Sequence, residues 1–340
     1  MEKQTILVTG GAGYIGSWVV KDLVEKGHTV RVSVRNKSNE EKYKHILDLG
    51  NNNLGSVELF EADLTKENSF DTAAAGCDSI IHMASPFILS DEKPQENLVD
   101  PALNGTKYVL SAATKSGTVK KIVLTSSVAA VHGDTIDMQE QGLSEFTEEQ
   151  WNTTSTLDHQ PYSFSKVLAE KEAWKISKRQ TNWNLVVVNP SFVMGPSLAK
   201  ISNSGSIDFM NDMLSGKFKT GAPDLNFGFV DVRDVAKAHT LALENNNAEG
   251  RHILCDRSMN VMGLAKIIEA EFPKKYKLPT MQSPKWLMTL IGPIFGVTRK
   301  FVKRNVGYKI SVNASKSKND LGLTYTPIEK SIKDMVDWMG

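Results

Sequence analysis

The run TILVTGGAGYIGSWVV, residues 5–20, decides how this chain reads. Its first five residues are apolar or β-branched, as a buried strand requires. Gly10, Gly13 and Gly16 follow, and an apolar-periodic segment begins among them. Glycine at the first position permits a tight turn. At the second it lets the backbone approach a pyrophosphate, and at the third it lets the helix lie close to the strand. Phosphate oxygens would then meet free N–H groups and the positive end of a helix. Such a spacing carries weight only in context, and here it lies between a strand and a helix at the head of an alternating chain.

The alternation continues through HTVRVSVR (28–35), SVELFEAD (56–63), DSIIHMAS (78–85), KKIVLTSS (120–127), NLVVVNPS (184–191) and RHILCD (251–256). Helical patterns separate these runs. Strands apolar on both faces, with helices between them, predict an α/β protein with a Rossmann-type doubly wound parallel sheet of about seven strands. Residues 192–228 and 258–325 are richer in Gly, Pro, Ser and Asn and hold only short periodic runs. The expected division is therefore a dinucleotide-binding domain of 1–191 plus about 229–257, and a smaller, discontinuous C-terminal substrate lobe of about 192–228 plus 258–340. A last amphipathic helix, PIEKSIKDMVDWM, opens on a proline suited to a first turn.

Composition narrows the partners. The 340 residues hold 40 Lys and Arg against 39 Asp and Glu, a net charge of +1. Nothing in that balance calls for nucleic acid or an anionic membrane. The small cluster Arg299, Lys300, Lys303 and Arg304 reads as a solvated face. Cys77 and Cys255 lie in or beside apolar runs and read as small core residues, and with no CxxC or HExxH no metal is expected. The first strand starts at once and leaves no room for a signal peptide. WLMTLIGPIFGV (286–297) is interrupted by Gly292-Pro293 and falls short of the ~20 residues of a spanning helix. It is expected as buried helix pieces or a pocket wall, in a cytoplasmic protein.

Two further features carry chemistry. At the end of the second strand an NAD site places a carboxylate for the ribose hydroxyls. This chain has Arg35 there, with Lys37 close by. A guanidinium grips a 2′-phosphate that a carboxylate would repel, so NADP(H) is the expected cofactor. PYSFSKVLAEKEAW (161–174) then places Tyr162 and Lys166 four residues apart on one helix face. No other tyrosine in the chain has a lysine at that spacing. A free phenol titrates near ~10, and a nearby ammonium is expected to lower that value. A tyrosine so tuned donates a proton to a carbonyl oxygen as hydride reaches the carbon. Ser126 and Ser127, at the end of the fifth strand, could hold that oxygen.

With TGGAGYIG, HMASP, LTSS, YSFSK before LAEKEAW, and FVDVRDVAKAH (229–239), the chain resembles the extended short-chain dehydrogenase/reductases, in their dihydroflavonol 4-reductase-like branch. The resemblance implies Ser127, Tyr162 and Lys166 as the catalytic set. It also implies Gly10, Gly13, Tyr14, Ile15 and Gly16 at the pyrophosphate, Arg35 and Lys37 at the 2′-phosphate, and Asp63 and Leu64 at the adenine. Ala84 and Ser85 fall where the family passes the cofactor ribose, and Pro190 and Ser191 flank the nicotinamide. Cinnamoyl-CoA reductases carry an NWYCYGK-type signature where this chain reads HQPYSFSK, which argues against a CoA thioester. Phe87, Ile88, Phe192, Val193 and the Met and Trp residues of 281–288 are the expected walls of an apolar substrate site. The expected activity is NADPH-dependent reduction of a small-molecule aldehyde or ketone, reversibly, and homodimers are common in the superfamily. The alternatives are an NAD-dependent nucleotide-sugar epimerase/dehydratase, suggested by NGT at Asn104, and a non-catalytic NADP-sensing protein.

Overall fold

The computed structural model describes residues 2–86, 92–200 and 204–340. Phe87 and Ile88, expected at the substrate wall, lie outside the described residues. Seven strands form one sheet: β1 (Thr5–Thr9), β2 (Thr29–Val34), β3 (Ser56–Glu61), β4 (Ser79–His82), β5 (Lys121–Thr125), β6 (Asn184–Pro190) and β9 (Gly250–Leu254). Their order is β3-β2-β1-β4-β5-β6-β9, and every neighbouring pair is parallel. The order reverses between β1 and β4, which is where an open α/β sheet takes its ligand. Successive residues serve opposite layers, as a strand's period of two dictates. Ile6 and Val8 pack with the helix Tyr14–Glu25 in one core, whereas Leu7 joins Ile80, Ile122 and Val187 in the other.

A second sheet, unforeseen in the sequence, joins β7 (Phe192–Met194), β8 (Asn226–Asp231) and β10 (Arg257–Asn260), with β8 central. The stretch 229–257, expected as one piece of the large domain, is divided between the two sheets. Phe229–Asp231 completes β8, while the helix Val232–Glu244 packs on the helix Tyr14–Glu25 and β9 closes the large sheet.

The apolar stretch 286–297 forms a helix, Lys285–Ile291, and a short 3₁₀ turn, Gly292–Phe295. The expectation that it is buried is corrected. Trp286, Leu290 and Ile294 are exposed, as is Met281, so Met281 and Trp286 are not walls of an enclosed pocket. The reason lies in the next helix, Arg299–Asn305. Its Val302 takes the inward position, and Lys285 Nζ donates to the carbonyls of Lys303 and Val306 at 2.9 and 2.7 Å. Trp286 and Leu290 of the first helix are left on the outside, while Leu287, Met288 and Ile291 are half-buried. Among the described residues no helix is long and apolar enough to cross a membrane.

Candidate active site

The glycine turn is built from close approaches. Gly10 has φ +71°, a left-handed value that suits glycine, and a Cβ there would lie 3.0 Å from the Ala84 nitrogen. A Cβ on Gly16 would meet the Gly10 carbonyl oxygen at 2.1 Å, so helix and strand could not come together around any larger residue. The Gly13 N–H donates to the Gly10 carbonyl at 3.0 Å. The helix Tyr14–Glu25 then begins with no side-chain cap, leaving its first N–H groups for an anion. Ala84 is held against the turn because Thr9 Oγ1 accepts from the N–H groups of Met83 and Ala84, both at 3.1 Å. The same hydroxyl pairs with His82 Nδ1 at 2.7 Å. Burial draws that imidazole down to about 3, so it is neutral. Ser85 follows, half-buried.

Tyr14 and Ile15 stand beside this turn. The Tyr14 side chain leads away from it: its hydroxyl donates to the Gly195 carbonyl at 2.6 Å, and Trp18 Nε1 donates to Pro196 O at 2.9 Å. The glycine-turn helix is thereby bound to the chain leaving β7. Ile15 packs half-buried on the core. At the end of β2, Arg35 and Lys37 are exposed, and no carboxylate stands at residues 33–38. The carboxylate of Asp63, which accepts from the Thr65 N–H and hydroxyl at 2.9 and 2.8 Å, is held below its ordinary range chiefly by that N–H, with Arg35 among the contributing charges. Leu64 packs against Gly105, where a Cβ would come within 2.5 Å of Leu64 Cδ2. An uncapped helix start, a glycine cradle that Cβ atoms would fill and cations without a carboxylate at the β2 end all fit a dinucleotide bearing a 2′-phosphate.

Across the β1–β4 junction lies the second group. Ser126 and Ser127 follow β5 directly, and successive residues of an extended chain point opposite ways. Ser126 Oγ donates to Glu170 Oε2 at 2.5 Å, inside the protein. Ser127 turns outward, accepts from the Ala129 N–H at 3.1 Å and shares a side-chain hydrogen bond with Tyr162. Of the two serines considered from sequence, Ser127 is thus the one beside the phenol. Lys166, one turn along the helix Pro161–Ser177, sets its Nζ over the Tyr162 ring, 5.5 Å from the centroid.

The expected direction of the Tyr162 shift is corrected. Burial pushes the phenol up to about 12, opposed only by the hydrogen bond from Ser127. Lys166 is itself drawn down to about 8 by burial, against the pull of Glu170. Desolvation is the largest cause for each group. At neutral pH the site therefore holds a protonated phenol beside a mostly protonated amine.

Two buried carboxylates hold this helix, and neither was singled out from sequence. Glu170 continues the face of Tyr162 and Lys166 by one more turn, a spacing that could have revealed it. It accepts from Ser126, from Asn189 Nδ2 at 2.9 Å, from Trp174 Nε1 at 3.2 Å and from Arg251 Nε at 2.6 Å. Asn189 Nδ2 also reaches the Ser127 carbonyl at 3.1 Å. Asp134 serves the start of the helix. It accepts from His159 Nε2 at 2.9 Å, Gln160 Nε2 at 2.7 Å, Asn305 Nδ2 at 2.7 Å and Arg304 Nε. Gln160, the residue before Pro161, has φ 59° and ψ 57°, a left-handed conformation uncommon for a side-chain-bearing residue. Its bond to Asp134 helps to hold that turn, from which Tyr162 follows two residues later.

The remaining expected residues lie past β6. Pro190 ends that strand, and buried Ser191 donates its N–H to the Leu254 carbonyl at 2.9 Å. Phe192 is half-buried among Phe209, Phe227 and Phe229, with ring centroids 5.4–5.8 Å away. Val193, expected at the substrate wall, is buried in the main core.

A parallel Rossmann sheet with an uncapped glycine turn after β1 and a Ser–Tyr–Lys set beginning after β5, two strands along, defines a dinucleotide-dependent oxidoreductase of the short-chain class. The family described as "NAD dependent epimerase/dehydratase family" matches residues 6–255. A cinnamoyl-CoA reductase of Medicago truncatula is 35% identical over 335 residues, covering 98% of this chain and 94% of its own. A bifunctional dihydroflavonol 4-reductase/flavanone 4-reductase of Malus domestica is 32% identical over 82% of this chain and 79% of its own. Among solved structures, Gre2 of Candida albicans in complex with NADPH superposes with a TM-score of 0.80 at 31% identity, covering 99% of this chain and 98% of that one. The chain belongs to the NAD dependent epimerase/dehydratase family, in its dihydroflavonol 4-reductase-like branch.

Proposed function

We propose that this protein is an NADPH-dependent carbonyl reductase that converts an aldehyde or ketone to its alcohol, reversibly. The observation that carries the reading is the Ser127–Tyr162 hydrogen bond with Lys166 over the same ring, past the end of β5 in the sheet whose β1 leads into the glycine turn. Gly10, Gly13 and Gly16 would cradle the pyrophosphate, and Arg35 with Lys37 would grip the 2′-phosphate. When bound, the cofactor supplies hydride to the carbonyl carbon. Ser127 holds the carbonyl oxygen by its hydroxyl, and the Tyr162 phenol gives that oxygen a proton as negative charge develops there. The Lys166 ammonium offsets the charge left on the phenolate and would hold a ribose hydroxyl of the bound cofactor. Solvent then returns the proton to Tyr162. A phenol raised to about 12 arrives at each turnover protonated, which suits the reductive direction. The NADPH complex of the Gre2 structure and the reductase relatives support the cofactor and the reaction type. The substrate is proposed to be largely apolar, since Phe192 brings an aromatic cluster to the chain leaving β6.

The test is a fluorescence titration of NADPH and NADH on the wild type and on Arg35→Asp, followed by a panel of aromatic and aliphatic aldehydes and ketones set against a nucleotide sugar. Preference for NADPH that Arg35→Asp reverses, with turnover of carbonyls and none of the sugar, is the expected result. Equal affinities for both cofactors in both proteins, or turnover of the sugar alone, would defeat it.

A further inference from the structure

From Phe272 to Asn319 the chain holds eleven Lys or Arg residues and no Asp or Glu. The net charge of the whole protein, +1, hides this segregation. Among the described residues only Arg304 of the eleven forms an ion pair, with Asp134, Asp137 and Glu140. Elsewhere on the surface Lys21, Lys93, Lys175, Lys330 and Lys333 each pair with an acid three or four residues away. The same segment carries an apolar stripe. Trp286, Leu290 and Ile294 recur every fourth residue along the helix Lys285–Ile291 and the turn after it, and are 69, 62 and 79% exposed. Arg299, Lys300 and Lys303 are exposed on the helix that packs beside them. That helix is no loose arm, because Arg304 and Asn305 reach inward to Asp134.

We propose that this helical hairpin seats the protein peripherally on an anionic lipid bilayer. Trp286, Leu290 and Ile294 enter the boundary between headgroups and acyl chains, and Arg299, Lys300 and Lys303 meet lipid phosphates. Indole suits that boundary because one end is apolar and the other donates a hydrogen bond. Unpaired cations beside exposed apolar side chains match a surface that offers both negative charge and hydrocarbon. A nucleic acid would satisfy the cations and leave the stripe in water. Side chains this exposed stand out from the surface, as insertion requires, instead of lining a groove that would receive a protein segment.

The experiment sediments the full-length protein with phosphatidylcholine vesicles, with and without phosphatidylglycerol. Recovery with the anionic vesicles alone, and release at about 1 M salt, where the screening length falls to ~3 Å, are expected. The triple variant Trp286→Ser, Leu290→Ser, Ile294→Ser should lose vesicle binding while keeping NADPH affinity and its unfolding midpoint. Lys300→Glu with Lys303→Glu, confined to exposed positions, should lower vesicle partition at least about tenfold, at ~1 kcal/mol per basic residue near the surface. No sedimentation with anionic vesicles, or binding that either variant leaves unchanged, overturns the proposal. Capture of an acidic protein in place of vesicles overturns it equally. NADPH titration of the same samples shows independently whether the cofactor reading stands.

Discussion

The helix that presents Tyr162 is fastened by two buried carboxylates, and the difference between them shows how the two sheets divide the work. Glu170 gathers Ser126, Asn189, Trp174 and Arg251, all from the large sheet and its covering helices. Asp134 gathers His159 and Gln160 from the start of the helix, and Arg304 and Asn305 from the helical hairpin near the second sheet. One carboxylate fixes the reacting groups to the body that would hold the cofactor. The other ties the same groups to the part of the chain expected to receive the substrate. Both accept from cations, but among the described residues Arg251 forms an ion pair only with Glu170, whereas Arg304 has Asp137 and Glu140 in reserve.

The comparison can be broken in four ways. Tyr162→Phe sets its scale: steady-state assay should show kcat for carbonyl reduction down about 10²–10⁴-fold, with the unfolding midpoint unmoved. Glu170→Ala comes next. It strands a buried guanidinium, and urea unfolding should show a loss of about 3–5 kcal/mol. Asp134→Asn should cost less, about 1.5–3 kcal/mol, since Arg304 keeps other acids. It should also lower kcat about tenfold through a displaced Gln160 turn while leaving the NADPH Kd alone. An equal stability loss with no change in kcat would erase the distinction between the two carboxylates.

The smallest effect is in the pH profile. Lys166 titrates near 8 and is needed charged, so the reduction rate should fall as pH rises through that value, while Tyr162, near 12, stays protonated. Glu170 raises the Lys166 value, so Glu170→Gln should carry the alkaline limb to lower pH, by less than about one unit at a partly screened distance. Asp134→Asn should leave the limb in place, and Lys166→Arg should move it beyond the working range, which a stopped-flow pH series would record.

The large sheet was legible because each strand is a run of apolar, β-branched residues bounded by turn residues. The glycine turn was legible because its φ value and close approaches admit little else. The second sheet was not. β7 is three residues long, and β10, RSMN, offers no apolar alternation to read. FVDVRDV gave no sign that its first three residues pair with β7, Phe229 also with β10, while the rest turns into a helix on the other sheet. At the site, residue types and spacing pointed to Tyr162 and Lys166, and the family pattern chose Ser127 over Ser126. Their proton affinities could not be read, because burial is a property of the folded surroundings and outweighs the neighbouring charge. Asp134 escaped notice for a similar reason: its partners lie 25 to 171 residues away along the chain.

Cys77 and Cys255 are both buried and unpaired, and burial raises both thiols. They lie in separate apolar clusters. Cys77 packs with Leu7, Phe70 and Ile80 behind the large sheet, and Cys255 with Val131, Phe146 and Ile310 next to the Asp134 loop. An alkylating reagent can reach neither until its own surroundings open. The native chain thus carries two internal clocks, one behind the nucleotide half and one beside the hairpin, and peptide mapping after timed labelling would tell which half lets go first.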